Sequence, residues 1–175
     1  MTMPLTTPST LPPSDFETRA SQTFQWFPKP QQRKAFRSQA DELFFGGKAG
    51  AGKSDLLLGL GILSHRKTLF LRRQATQLQE ITSRVQELLR PGDRWKHVGH
   101  GGLLTTADGR TVEFAGCDHE TEKQKYKGRA HDLKAWDEVV DFPESVYTFV
   151  NGWNRTTLPN QRCRVVCASN PPTTA

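Results

Sequence analysis

The chain carries ELFFGGKAGAGKSDLLLGLGILS at residues 42–64. The apolar run Leu43-Phe44-Phe45 is short and ends in Gly46-Gly47, which predicts a buried strand of about Glu42 to Phe45. Gly47-Lys48-Ala49-Gly50-Ala51-Gly52-Lys53-Ser54 satisfies G-x-x-x-x-G-K-[ST], the P-loop or Walker A pattern, at every position. The glycines let the backbone turn tightly, so that successive N–H groups point inward at phosphate oxygens. Lys53 to about Ser64 has helical length, and a helix there presents its positive N-terminal end to the same phosphates. Lys53 can reach the β- and γ-phosphates, and the Ser54 hydroxyl can ligate Mg2+. A strand, a glycine loop and a helix in this order predict nucleotide binding.

Downstream, strand and helix signals alternate. Thr68 to Leu71 reads as a second strand. Gln74 to Arg90 places Leu78, Ile81, Val85, Leu88 and Leu89 at spacings of three and four, an amphipathic helix stopped by Pro91-Gly92. Leu103–Thr106 and Thr111–Phe114 flank Ala107-Asp108-Gly109, the signature of a β-hairpin. Leu133 to Trp136 is a weak strand interrupted by Lys134. Pro143 to about Trp153 reads as a helix with proline in its first turn, and Cys163 to Ala168 as a strand closed by Pro171-Pro172. The class is therefore α/β with a mainly parallel sheet flanked by helices and a β-hairpin insertion. Residues 1 to about 15 are rich in Pro, Thr and Ser and lack apolar periodicity. We expect a loosely held arm over 1–23 and a folded domain over 24–175.

The 175 residues suit one domain. Apolar runs stay far below the roughly 18 residues of a membrane span, and no secretory signal opens the chain. Cys117, Cys163 and Cys167 are odd in number. Residues four apart on a strand lie about 13 Å apart, too far for a disulfide. They are expected to be reduced thiols of a cytosolic protein. Lys and Arg number 24 against 18 Asp and Glu, a net charge of +6. That excess favours polyanionic partners, although a basic surface kept for solubility explains it equally well.

Three further segments carry chemistry. Trp136-Asp137-Glu138 ends the weak strand, where Asp137 can hold the metal and Glu138 can activate the attacking water. Asp132, Asp141 and Glu144 compete for these roles from poorer positions, a strand start and a helix start. Ser169-Asn170 follows the last strand, where a polar group can sense the γ-phosphate. In Trp26-Phe27-Pro28-Lys29-Pro30-Gln31-Gln32, a glutamine amide can read adenine, while the aromatics fit a hydrophobic entry to a helix.

The order of these motifs resembles the ATPase domain of the large terminase subunit of tailed bacteriophages. The matching segments are PKPQQRKAF, ELFFGGKAGAGKSDLLL, TLFLRRQATQLQEI, VEFAGCDHETEKQKYKGRAHDLKAWDEVVDF and RVVCASNPP, spanning about Trp26 to Pro172. The P-loop is shared by many families, and the combination is much more specific. The resemblance implies an ASCE-type P-loop NTPase hydrolysing ATP with Mg2+ to drive double-stranded DNA into a capsid. Gln32, or Gln31 beside it, matches the adenine-contacting glutamine. Gly47 to Ser54 match the phosphate loop, and Lys48 sits where some terminases carry an assisting basic residue. Asp137 matches the metal-linked acid, Glu138 the catalytic acid, and Ser169 and Asn170 the coupling motif. Arg129 is the first candidate for a catalytic arginine from the same or a neighbouring subunit, and Arg155 the second. Arg72 and Arg73 are candidates to position the loop.

The resemblance further implies a homo-oligomeric ring, a portal protein and a small terminase subunit as partners, no membrane, and a place in the host cytoplasm. Terminases continue into an RNase H-like nuclease. This sequence is expected to be an ATPase domain cut before its last strand or strands, and no nuclease site is proposed in it. The expected strand order puts the coupling strand beside Glu42–Phe45, with the Walker B and second strands beyond it. Glu42–Phe45 is then an open edge. Two alternatives stand: a helicase-like or recombination ATPase, and a truncated product that only binds nucleotide or serves as an interaction module.

Overall fold

Alternation along the strands divides the core in two. Phe70, Leu133, Ala135, Val166 and Ala168 face one side, while Leu69, Leu71, Trp136, Val165 and Cys167 face the other. The computed structural model describes residues 26–171. The arm expected over 1–23 and the closing Pro172 lie outside the described residues. In chain order the elements are α1 (Pro30–Arg37), β1 (Glu42–Gly46), α2 (Lys53–Leu63), β2 (Lys67–Arg72), α3 (Leu78–Glu87), β3 (Arg94–Val98), β4 (Gly101–Thr105), β5 (Thr111–Gly116), β6 (Leu133–Asp137), α4 (Glu144–Asn151) and β7 (Arg164–Ser169). The strands form one seven-stranded sheet in the order β1-β7-β6-β2-β5-β4-β3. The pairs from β1 to β5 are parallel, and β5-β4-β3 are antiparallel.

Helix α2 is apolar all round, as its run of leucines requires, and it is buried against the sheet. Trp26 lies directly over Gly59, where any side chain would meet the indole ring. Helix α3 buries Leu78, Ile81 and Val85 on the same side. The opposite layer is built from α4, through Val146 and Val150, and from Tyr126 and Phe142.

Several expectations need adjustment. The segment read as a helix from Gln74 begins with a 3-10 turn at Ala75–Gln77, and the α-helix covers only Leu78–Glu87. The hairpin is not a separate insertion: β5 pairs in parallel with β2, so the hairpin continues the main sheet. Strand β3 is new; its sequence RWKHV is almost wholly exposed at the far edge. The three cysteines are free thiols, and Cys163 precedes β7 rather than starting it.

β1 is the other edge, pairing with β7 alone among the described residues, in the order expected from the sequence. The interrupting Lys134 also has an explanation. It is fully buried on the α4 side, and its Nζ lies 3.0 Å from His131 Nδ1 and 3.3 Å from the Arg129 carbonyl. Burial lowers its pKa to about 8.

Asp132 is a structural acid. Its carboxylate accepts from the Arg66 and Lys67 N–H groups, each at 3.1 Å, and so ties the start of β2 to the start of β6. His65 Nδ1 lies 3.3 Å from the same carboxylate. Burial lowers the pKa of His65 and, at the mouth of β6, of His131, both from 6.5. Each therefore takes up a proton more readily in the unfolded chain. Stability should be fully present above pH 6.5 and fall as pH drops below it towards the two folded-state values. Urea midpoints measured from pH 8 to pH 5 check this. A flat profile in the parent chain, or a rise towards pH 5, would contradict it.

Candidate nucleotide-binding site

Three strand ends meet at the carboxyl edge of the sheet. β1 runs into the glycine loop, β6 ends at Asp137, and β7 ends at Ser169. The loop makes its turns at Gly50 and Gly52, with φ of 76° and 80°, in the left-handed region that favours glycine. Gly47 N–H donates to the Ser169 carbonyl at 3.3 Å, which fixes the loop's first residue to β7.

Lys53, at the first turn of α2, is only 6% exposed. Its ammonium turns back over the loop and donates to the Gly47 carbonyl at 3.0 Å, the Lys48 carbonyl at 3.1 Å and Asn170 Oδ1 at 2.7 Å. Ser54 Oγ donates to Asp137 Oδ1 at 3.0 Å. Asp137 can reach Ser54 because period-two alternation puts Leu133, Ala135 and Asp137 on the α2 side of β6. Burial pushes the Asp137 carboxyl above its usual range, with Arg72 and Ser54 pulling the other way.

Glu138 leaves β6 in the left-handed region at φ 52°, an uncommon place for a residue with a side chain. Its Oε2 accepts from Ser169 Oγ at 3.0 Å and from Asn170 N–H at 3.3 Å, and its Oε1 from Asn170 Nδ2 at 3.4 Å. Asn170 thus touches both Lys53 and Glu138. Residues far apart in sequence, Lys53, Ser54, Asp137, Glu138, Ser169 and Asn170, form one connected polar cluster.

Gln32 sits beside this cluster as a brace. Its Oε1 accepts from Lys29 N–H at 2.7 Å and its Nε2 donates to the Gly52 carbonyl at 2.7 Å, so one amide joins the start of α1 to the loop. A side chain at Gly52 would run into that amide. Gln31, Lys48, Ala49 and Gly50 are exposed, while Ala51 is half-buried.

The arginine candidates separate clearly. Arg129 does not join the cluster within this chain. It donates to Glu113 Oε2, whose strand neighbour in register is Leu69, on the α4 side of the sheet. Arg155 lies at the opposite end of the sheet, its N–H on the His131 carbonyl and its guanidinium 4.8 Å from the Trp153 ring. Arg72, ranked behind Arg129 and Arg155 in the sequence reading, is the arginine at the site: its Nη1 donates to Asp137 Oδ2 at 3.0 Å. The signal was present, since Arg72 ends β2 as Asp137 ends β6, and the two are paired in register.

The donor set fits Mg2+ of the kind that a nucleotide brings. Ser54 and Asp137 supply two hard oxygens side by side, and no group of three or more His, Cys, Asp or Glu that could hold a metal occurs among the described residues. Mg2+ is held in this sparse way when phosphates and water complete its octahedron.

Neither a protein-family model nor a curated protein sequence matches the chain. Solved structures do match. The large terminase of a thermophilic bacteriophage superimposes on 83% of this chain with a TM-score of 0.61 and 16% identity. A second crystal form of that terminase, in complex with ADP, covers 81% at a TM-score of 0.58 and 17% identity. The fold matches that of part of a large terminase. This chain spans 40% and 38% of those two solved chains, respectively. Among its described residues, no helix is long and apolar enough to cross a membrane.

Proposed function

We propose that this chain is part of an ASCE-type P-loop ATPase domain of a phage DNA-packaging motor, hydrolysing ATP to move double-stranded DNA. The observation that carries the reading is the polar cluster itself. A Walker lysine, a metal-type carboxylate beside a P-loop serine, a second carboxylate and a strand-tip amide converge at one sheet edge. The order of β1, β7, β6 and β2 supports the ASCE class. The ADP complex of the phage terminase, a protein of the same fold, supports a nucleotide as ligand.

On this reading the loop's N–H groups and the N-terminus of α2 hold the phosphates. Lys53 exchanges its carbonyl partners for phosphate oxygens and neutralises charge on the γ-phosphoryl group. Ser54 and Asp137 would hold Mg2+, which would supply positive charge against the phosphates. Glu138 orients the attacking water for in-line displacement and accepts its proton. Asn170, touching both Lys53 and Glu138, can sense whether the γ-phosphate is present and pass its loss to β7. Ser169 steadies the same carboxylate. Gln32 either contacts adenine directly or sets the height of the loop over it.

The partners follow from the same reading: DNA phosphates for the basic surface, a portal protein, a small terminase subunit and neighbouring copies in a ring. Arg129, on the sheet's other face, then serves a neighbour's site rather than its own. The test is ATP turnover with and without linear duplex DNA, across a range of protein concentrations. Turnover per chain should be slow in dilute solution and rise with concentration as copies meet. Fast turnover that is independent of concentration would refute a donated arginine. Absence of nucleotide binding at any concentration would refute the reading as a whole.

A further inference from the structure

Asp137 has two carboxylate oxygens, and the chain already engages both. Oδ1 takes the Ser54 hydroxyl, and Oδ2 takes the Arg72 guanidinium at 3.0 Å. The carboxylate side chain is 1% exposed and that of Arg72 21%. A buried carboxylate without a counter-ion is costly, and the guanidinium supplies one.

Arg72 is itself held in place. Its Nε donates to Gln77 Oε1 at 3.2 Å, and Gln77 Nε2 donates to Gln74 Oε1 at 2.8 Å. The 3-10 turn Ala75–Gln77 therefore exists at the point where it aims the last residue of β2 at the last residue of β6. On its open side, Arg72 borders a groove of about 540 Å³ between α2 and α3 that is lined by Asp55, Glu80, Arg84 and Glu87. Arg84 pairs with Asp55 and Glu87 there, and a guanidinium leaving Asp137 has room beside Glu80.

We propose that Arg72 is a positioning residue that acts as a resident counter-ion. It holds Asp137 Oδ2 while no divalent cation is bound, yields that oxygen when the cation arrives with nucleotide, and turns into the groove towards Glu80. This rests on the nucleotide-binding reading above and adds a competition to it. By occupying Oδ2, Arg72 raises the cation concentration needed to load the site.

The test is binding of a fluorescent ATP analogue at pH 8, first in EDTA and then titrated with Mg2+. In Arg72→Gln the half-saturating Mg2+ concentration should fall at least about threefold, the scale of a partly exposed ion pair. Arg72→Lys, which keeps the charge, should return most of the shift. Affinity in EDTA should stay within about twofold of the parent, because Arg72 is not a phosphate contact. Gln77→Ala removes only the brace on Nε and should lower the midpoint in the same direction. It keeps the proposal testable should Arg72→Gln not fold. An unchanged or raised midpoint in the folded variants overturns the proposal. So does a loss of affinity in EDTA as large as that of Lys53→Ala, which would make Arg72 a phosphate ligand. A parent chain that binds no nucleotide, with or without Mg2+, overturns the nucleotide reading and this proposal together.

Discussion

Lys53→Ala should fold like the parent and bind ATP about a hundredfold more weakly, with turnover lost altogether. The side chain is buried, and its three acceptors are two loop carbonyls and Asn170. Alanine removes the cation placed to exchange those partners for phosphate oxygens. Each charge-assisted hydrogen bond is worth about 1.5–3 kcal/mol, so losing even one or two in the complex reaches that size. The same change leaves the Gly47 and Lys48 carbonyls facing the loop interior, where water can reach them. The fold therefore survives. Titration with a fluorescent ATP analogue, beside circular dichroism to confirm folding, checks the expectation. Parent-like affinity in a folded variant would remove Lys53 from the site.

Glu138→Gln should do the opposite: hold ATP within about threefold of the parent and lose hydrolysis by roughly 10²–10⁴-fold, the usual contribution of a general base. Glutamine nearly matches glutamate in shape. With its oxygen placed where Oε2 stands, it can still accept from both Ser169 Oγ and Asn170 N–H, so the strand tips stay joined and only the 3.4 Å bond from Asn170 Nδ2 is given up. What disappears is the ability to accept a proton from water. Single-turnover phosphate release at saturating protein separates the two effects. A variant that releases phosphate at the parent rate would move the catalytic base elsewhere, with Asp141 the next acid along the chain.

Much of the candidate site was legible in the sequence, because the turns of a glycine loop are dictated by local backbone geometry. Gly47 to Ser54 admit few other readings, and Trp136-Asp137-Glu138 followed by Ser169-Asn170 supply the remaining groups at plausible strand ends. The placing of β7 beside β1, with β6 and β2 beyond, followed from the resemblance of the motifs, while the parallel pairing of β5 with β2 was not legible. Strand β3 was not, since RWKHV lies exposed on an edge and shows no alternation of apolar and polar residues. The role of Gln32 was ambiguous in kind. A glutamine amide serves a base or a backbone equally well, and here it joins Lys29 to Gly52. Arg129 and Arg72 mark the limit of motif reading. An arginine near a motif carries no information about which face of a sheet it will occupy, and that depends on register: Leu69 opposite Glu113 for one, Asp137 opposite Arg72 for the other.

The outer position of β1 has a mechanical consequence. Asp41 O accepts from Val165 N–H and Gly47 N–H donates to Ser169 O, so the odd-numbered residues of this segment carry the bonds to β7. The backbone groups of Glu42, Phe44 and Gly46 point away from the sheet. The strand that supports the phosphate loop is thus tethered along one side, and by the strand whose tip touches both Lys53 and Glu138. β1 pairs with β7 along its length, and β7 pairs in turn with β6. On the proposed reading, a shift of the Ser169-Asn170 tip reaches the loop through this single pairing, with no strand among the described residues on β1's far side to hold the loop back.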